Sequence, residues 1–454
     1  MCKQQSESKT IPRWNLGGEI LFIMDSETEL TTELLEEYIN QHKAEAIKLR
    51  KKMDMYKGQH DILSRDPKEA FKPDNRLVVN FAKYIVDTLN GFFIGVPVKT
   101  VHDNESVSDY IEFIQKYNDQ DDNNAELSKL CSIYGHAYEL LYLDENAQVG
   151  ITYLSPEEAF IIYDDSVARE PLYGVRYFTN SDEKIEGSYS DKNKIYHFEI
   201  EDGLRIVDEE QNYFGDIPLV EYLENEERQG AFDNVDTLIN AYDKAISEKA
   251  NDVDYYADAY LKVLGAELEE ETLQTLRDSR IINISSPNGD DVSIDFLAKP
   301  SSDTTQENLI NRLEKLIFQI SMVANINDEN FGNASGISLK YKLQSMLNLA
   351  NVKERKFVSG MNRRWKLISN LPNSKMSKDD WMGIEYQFTR NLPTNVLEET
   401  QIAQNLAGIV SEETQLKALS LVENVKDEID RKEAEVDRKA RIYDYNDLGD
   451  IDEQ

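Results

Sequence analysis

Residues 337–370 read ISLKYKLQSMLNLANVKERKFVSGMNRRWKLISN. Apolar side chains recur at helical spacing, at Leu339, Leu343, Met346, Leu347, Ala350 and Phe357, which predicts one long helix. Ser335 is the candidate N-cap, and the helix should stop before Pro372. Eight bases lie on it, Lys340, Lys342, Lys353, Arg355, Lys356, Arg363, Arg364 and Lys366, against the single acid Glu354. The chain as a whole has 86 acids, 50 bases and a formal charge of −36. One element of an acidic protein therefore faces something negative. Two readings stay open: the bases are the wet face of a core helix, paired with carboxylates of the protein, or they meet nucleic acid.

Upstream of this helix the polar stretch 325–336 is a loop. Before it, Leu309, Leu313, Leu316, Ile317, Ile320 and Val323 mark a second helix, with Ser302, Asp303 and Thr304 as cap candidates. A third stripe runs through Val235, Leu238, Ile239, Tyr242, Ile246, Val253, Tyr256 and Tyr260. It predicts a helix of about 30 residues, roughly 45 Å long, closed by Gly265. Between the two stripes lies a compact insert of a helix at 267–278, a strand at 280–284, the turn Pro287-Asn288-Gly289-Asp290, and a strand at 292–297. The simplest geometry is an antiparallel helix pair with this αββ module at its tip. An isolated pair buries one face of each helix, so further apolar positions call for more copies in a ring or bundle.

Further out, helices are expected at 27–55, 78–93 and 125–135, with a loop at 58–75. Between 137 and 200 the apolar period becomes two. The runs 138–143, 150–154, 159–163, 174–178 and 194–200 predict an antiparallel sheet. Past the basic helix, 380–389 reads as a strand with Ile384, Tyr386 and Phe388 on one face. Residues 395–435 are helical, with Ser411 capping toward Thr414, and the tail after Asp444 is acidic. The fold class is α+β, and the 454 residues predict two to four folding units.

Motifs for catalysis are lacking. The chain has no phosphate-binding Gly-x-x-x-x-Gly-Lys-Ser/Thr loop, no His-Glu-x-x-His and no Gly-x-Ser-x-Gly. His42, His60, His102, His136 and His197 are scattered and read as packed or surface residues. Asp164-Asp165 and Asp290-Asp291 could be imagined as Mg²⁺ ligands, but adjacent acids are common in so acidic a chain and read as solvated surface. No catalytic residue, metal site or cofactor is assigned. Cys2 and Cys131 match no metal or redox spacing and read as reduced thiols of an intracellular product. No signal peptide is expected, because 1–9 has no apolar core. No apolar run reaches about 18 residues, so no transmembrane helix is expected either. The net charge argues against coating DNA but is compatible with DNA passing without sticking.

Three strings, falling in order along the chain, carry a resemblance. The first is Lys72-Pro73-Asp74-Asn75-Arg76-Leu77-Val78-Val79-Asn80 with Tyr84-Ile85-Val86-Asp87 and Gly95-Val96-Pro97-Val98. The second is Ser335-Gly336-Ile337-Ser338-Leu339-Lys340-Tyr341-Lys342-Leu343, and the third is Gln404-Asn405-Leu406-Ala407-Gly408-Ile409-Val410-Ser411. Together with the element order, the chain resembles the portal proteins of tailed bacteriophages, of the siphophage type from Gram-positive hosts.

The resemblance implies a ring, a dodecamer, at one capsid vertex, through which double-stranded DNA is packaged and ejected. It implies a mixed helix and antiparallel-sheet wing (1–232 and 337–393), long antiparallel stem helices (233–261 and 301–326), an αββ clip (262–300), a tunnel loop (327–336) and a helical crown with an acidic tail (394–454). The clip would dock the terminase large subunit and later a head-completion adaptor, with Glu267, Arg277, Arg280, Asn288, Asp290 and Asp291 as candidates. Major capsid and scaffolding proteins would be neighbours, with no membrane partner. The protein would assemble in the host cytoplasm and remain in the virion. Asn327, Asp328, Asn330, Asn333 and Ser335 would touch passing DNA weakly, with Lys340 and Lys342 just behind them. Twelve copies at −36 each would sum to about −430, a field that repels phosphate. The crown is short for a DNA-sensing role. Two other classes stand beside this reading: a metal-dependent nuclease using clustered carboxylates, and an oligomeric virion connector without DNA contact.

Overall fold

Ala159-Phe160-Ile161-Ile162-Tyr163 is apolar at every position, which a strand tolerates only when both of its faces are covered. The computed structural model covers them. Phe160 and Ile162 point into a core with Phe22, Leu35, Tyr38, Ile39, Val175, Tyr177 and Phe198. Ala159 and Ile161 point the other way, against Tyr138, Ile217 and Leu219. The structure describes residues 13–14, 20–69, 72–257, 261–264, 293–296, 303–326, 336–391, 396–419, 421–422 and 425–447.

In chain order, β1 (Arg13–Trp14) and β2 (Ile20–Met24) precede α1 (Thr32–Tyr56), α2 (Phe81–Ile94), β3 (Lys99–Val101), α3 (Glu105–Tyr117) and α4 (Gln120–Tyr134). Eight strands follow: β4 (His136–Leu143), β5 (Val149–Leu154), β6 (Ala159–Asp164), β7 (Pro171–Thr179), β8 (Ile185–Ser190), β9 (Lys194–Ile200), β10 (Leu204–Gln211) and β11 (Leu219–Leu223). Then come α5 (Asp236–Ala257), β12 (Leu261–Leu264), β13 (Ser293–Phe296), α6 (Asp303–Ser321) and α7 (Gly336–Ser369). The remaining elements are β14 (Glu385–Gln387), α8 (Val396–Leu406), α9 (Glu412–Leu416) and α10 (Val425–Asp447).

The expected single antiparallel sheet is two sheets. One has the order β1-β2-β6-β7-β8-β9-β10, and the other β11-β4-β5. The β2–β6 pairing is parallel, a long-range contact that periodicity cannot announce. β8 and β10 escaped the pattern because β8 contains Gly187, while β10 is an edge strand exposed beyond Leu204. At Gly187 a Cβ would meet Arg176 O at 2.4 Å, so the close strand approach needs glycine there. No expected helix covers α3, although it buries Val107, Tyr110, Ile111 and Ile114 on one face.

α5 has 22 residues, about 33 Å, and not the 30 expected. The final stretch of its reading is β12, which pairs antiparallel with β13, Leu261 opposite Phe296 and Leu264 opposite Ser293. The strand expected at 280–284, the helix at 267–278 and the turn at 287–290 lie outside the described residues. α5 and α6 run antiparallel. Lys249 pairs with Glu307 and Gln306 Nε2 donates to Asp252 Oδ2 (2.8 Å) toward one end. At the other, Phe81 lies edge-on to both Tyr242 (5.0 Å) and Phe318 (5.7 Å).

The described strand near 385 is three residues long and pairs with β3, after a short 3-10 turn at Asp380–Gly383. The chain divides into two compact units, Met1–Ala324 with Ser345–Thr389, and Asn325–Gln344 with Arg390–Gln454. In the second unit Ser411 Oγ accepts from Thr414 N (3.4 Å), the expected cap, and Gln415 Nε2 donates to Ala403 O (2.9 Å), tying α9 to α8.

Candidate functional site: the seat of the basic helix

The apolar stripe of α7 holds charges that its sequence had placed on the wet face. Lys353 and Arg364 are eleven residues apart, three helical turns, and so share a face with Met346, Ala350, Phe357 and Met361. All six are buried, Lys353 at 1% and Arg364 at 0% exposure.

Arg364 meets Glu139 of β4 through one edge of its guanidinium, Nε donating to Oε2 at 2.8 Å and Nη2 to Oε1 at 2.6 Å. Nη2 also donates to Asn124 Oδ1 of α4 at 2.7 Å. Tyr222 Oη (3.2 Å) and Gln120 Nε2 (3.3 Å) complete the shell around Glu139. Burial would depress the guanidinium's pKa, but Glu139 holds it above its ordinary value. The forked, planar donor set is what a buried carboxylate requires.

Lys353 is served differently. Its Nζ donates to Ser128 O (2.9 Å), Ser132 Oγ (2.7 Å) and Glu224 Oε2 (2.7 Å). It also sits 5.3 Å from the Phe93 ring centroid. Two further bases reach carboxylates nearer the surface, Lys356 to Glu226 and Arg363 to Asp216 (3.4 Å). Gly360 lets the helix come close to β11, since a Cβ there would lie 2.6 Å from the Tyr222 ring. Arg355 and Lys366 are exposed.

Of the two open readings of this helix, pairing with protein carboxylates describes Lys353, Lys356, Arg363 and Arg364. The signal that could have found the buried pair was present. A base at positions 353 and 364 of a stripe otherwise reading Ala350, Phe357 and Met361 breaks the pattern on the core side.

A second seat holds α5. The extended segment 75–79 offers alternate backbone N–H groups, and α5 offers polar side chains one turn apart. Val79 N donates to Asp243 Oδ1 (2.8 Å), Leu77 N to Ser247 Oγ (2.9 Å) and Asn75 N to Asn251 Oδ1 (2.6 Å). Two residues of strand span about 6.6 Å and four of helix about 6.0 Å, so three rungs stay in register. Asp243 also meets the buried His60 Nδ1 at 2.5 Å. This ladder accounts structurally for Asn75-Arg76-Leu77-Val78-Val79 in the first string.

Asn327, Asp328, Asn330, Asn333 and Ser335 lie outside the described residues, as do Glu267, Arg277, Arg280, Asn288, Asp290 and Asp291. Lys340 and Lys342 fall on the first turns of α7, and Lys342 is exposed. Asp164 is a turn-former: its Oδ1 accepts from Ser166 N (3.2 Å), Ser166 Oγ (2.7 Å) and Glu170 N (2.8 Å). Among the described residues no three His, Cys, Asp or Glu side chains cluster as metal ligands, and no helix is long and apolar enough to cross a membrane. Cys131 is buried and its thiol is pushed up by that burial.

Residues 35–441 match the family described as "Phage portal protein, SPP1 Gp6-like". The portal protein of Bacillus phage SPP1 is 26% identical over 416 residues, 84% of this chain and 80% of that protein. The portal protein of Clostridium phage phiCD119 is 24% identical over 415 residues, 83% and 88% of the two chains. Among solved structures, a chain of the neck of an empty GTA particle, computed with C6 symmetry, aligns at a TM-score of 0.44 and 9% identity, covering 74% of this chain and 89% of that one. A family match spanning nearly the whole chain identifies it: the chain belongs to the SPP1 Gp6-like family of phage portal proteins.

Proposed function

We propose that this chain is the subunit of a ring, a dodecamer, at one capsid vertex, a conduit for double-stranded DNA during packaging and ejection and a docking platform without catalytic activity. The observation that carries the reading is the family match over residues 35–441. The wing is 1–232 with 337–393, the stem 233–261 with 301–326, the clip 262–300, the tunnel loop 327–336 and the crown 394–454. The antiparallel α5–α6 pair supports the stem. The clip docks the terminase large subunit and then a head-completion adaptor, while capsid and scaffolding proteins surround the wing. Assembly takes place in the host cytoplasm.

The electrostatics suit a conduit. A chain of charge −36 repels phosphate, and α7 spends four of its bases on its own carboxylates, so it does not grip DNA along its length. Contact is confined to the tunnel loop and to Lys340 and Lys342. Negative-stain microscopy of the purified chain tests the ring: a closed ring with a channel wide enough for duplex DNA is expected, and a monomer overturns it. Replacing Lys340 and Lys342 by Gln leaves the ring intact and lowers packaged DNA; normal packaging removes the contact. Incubation with DNA and Mg²⁺ leaves the DNA whole, whereas cleavage would favour the nuclease.

A further inference from the structure

α3 buries one face and leaves the other carrying large aromatics. Phe113 and Tyr117, one turn apart, are 45% and 46% exposed, with ring centroids 5.7 Å apart. Tyr142 of β4, 45% exposed, precedes by two residues the Asp144 that Tyr117 bonds, and it covers Gly150, where a Cβ would meet its ring at 2.3 Å. Tyr117 Oη donates to Asp144, which also accepts from Asn146 N and Gln148 N at 2.8 Å each, so helix and hairpin are locked together. Exposed aromatics on a rigid base are typical anchors of protein–protein contacts.

The surround is acidic. Residues 103–122 hold Asp103, Glu105, Asp109, Glu112, Asp119, Asp121 and Asp122 against one base, Lys116, which is itself paired with Glu112. Asp144 and Glu145 add to this on the hairpin. A nucleic acid or an anionic membrane would be repelled. A second copy of this chain is a poorer occupant, because it carries −36 overall and half the bases of its richest basic stretch, Lys353, Lys356, Arg363 and Arg364, already meet carboxylates of its own copy.

We propose that the face formed by Phe113, Tyr117 and Tyr142 docks a basic, amphipathic segment of another protein. The aromatics take its apolar side, and the surrounding carboxylates take its cations and reject acidic competitors. None of these residues belongs to the tunnel loop or the clip.

The test uses the purified full-length chain and a fluorescein-labelled Leu/Lys amphipathic peptide of about five helical turns, with a Leu/Glu peptide as control. Fluorescence anisotropy should give saturable binding of the first and none of the second. Phe113→Ser with Tyr142→Ser, which changes no charge, should weaken binding about tenfold. Asp109→Asn with Glu145→Gln should weaken it as well, while removing the same charge on α10, by Glu433→Gln with Glu435→Gln, should not. Unchanged binding by the aromatic variant overturns the proposal. So does equal loss from the two charge pairs, which would mean binding to net charge alone. A variant that changes only the association of copies in sedimentation also overturns it, by assigning the face to a contact between subunits.

Discussion

Lys353 and Arg364 carry charge into the interior of the first unit, whereas Leu309 and Ile320 of α6 and Val253 of α5 carry hydrocarbon to its exterior, at 52%, 44% and 63% exposure. In the first region every buried cation meets a carboxylate within the same chain. In the second, the helices bury Ile310, Leu313 and Ile317 and leave a second apolar set in water. The difference separates what one chain completes by itself from what it leaves for a neighbour. The core under α7 is finished within the chain, whereas the helix pair keeps apolar surface that neighbouring copies in the proposed ring would cover.

The sharpest way to break that contrast is to unbalance the first region. Arg364→Met leaves Glu139, whose side chain is 2% exposed, without its counter-charge, and should cost about 3–5 kcal/mol in urea unfolding of the purified chain. Adding Glu139→Met should recover most of it, because apolar replacement of a whole buried pair is tolerated. A single variant as stable as the parent would mean that the seat holds nothing.

Acid should attack the same unit. His42 is buried, donating Nε2–H to Pro156 O (2.9 Å) and accepting from Tyr177 Oη (2.7 Å), and burial lowers its pKa to about 4. Burial likewise takes His136 to about 3, although Glu221 opposes it. Above pH 6.5 both histidines are neutral folded or unfolded, and contribute no pH dependence. As pH falls below 6.5 the unfolded chain binds protons that the fold refuses, so stability drops until the folded values are reached. About 2 kcal/mol per histidine should be lost by pH 4.5, read from urea midpoints across a pH series. His42→Gln should flatten that slope; an unchanged slope would remove His42 from the account.

The ladder holding α5 is worth less per rung. Ser247→Ala orphans Leu77 N and should cost about 1–2 kcal/mol. Hydrogen exchange at residues 75–79 should rise with it, and exchange as slow as in the parent would show that the rung carries no load.

How much of this was legible follows from range. α1, α2, α6 and α7 have stripes that repeat over many turns, and periodicity finds them. The buried pair Arg364–Glu139 joins residues 225 positions apart, and nothing in either segment names the other. The expected helix takes in β12 because it runs about 30 residues to Gly265, with no breaker before that glycine, and only the pairing with β13 decides otherwise. The ladder was half visible: Asp243, Ser247 and Asn251 stand at i, i+4 and i+8, polar residues on an otherwise apolar flank, but their acceptor role needs the extended segment beside them. The Lys72–Asn80 string was legible as a family mark while its physical use was not.

The last prediction concerns the helix pair, where association should move more than the stability of the single chain. Leu309 and Ile320 lie about three turns apart on the outward side of α6. Replacing both by Ser removes the half of each side chain that the chain itself covers, about 1 kcal/mol per site in urea unfolding under conditions that keep copies apart. Association is another matter. If these side chains are completed by neighbouring copies, each loses roughly half of a Leu or Ile burial on assembly, about 1 kcal/mol, at every contact around the ring. The variant should therefore still fold and sediment as smaller species at equal concentration. A variant that unfolds easily would place these residues in the chain's own core, and one that still closes rings at the parental concentration would mean that the apolar face has no role in assembly.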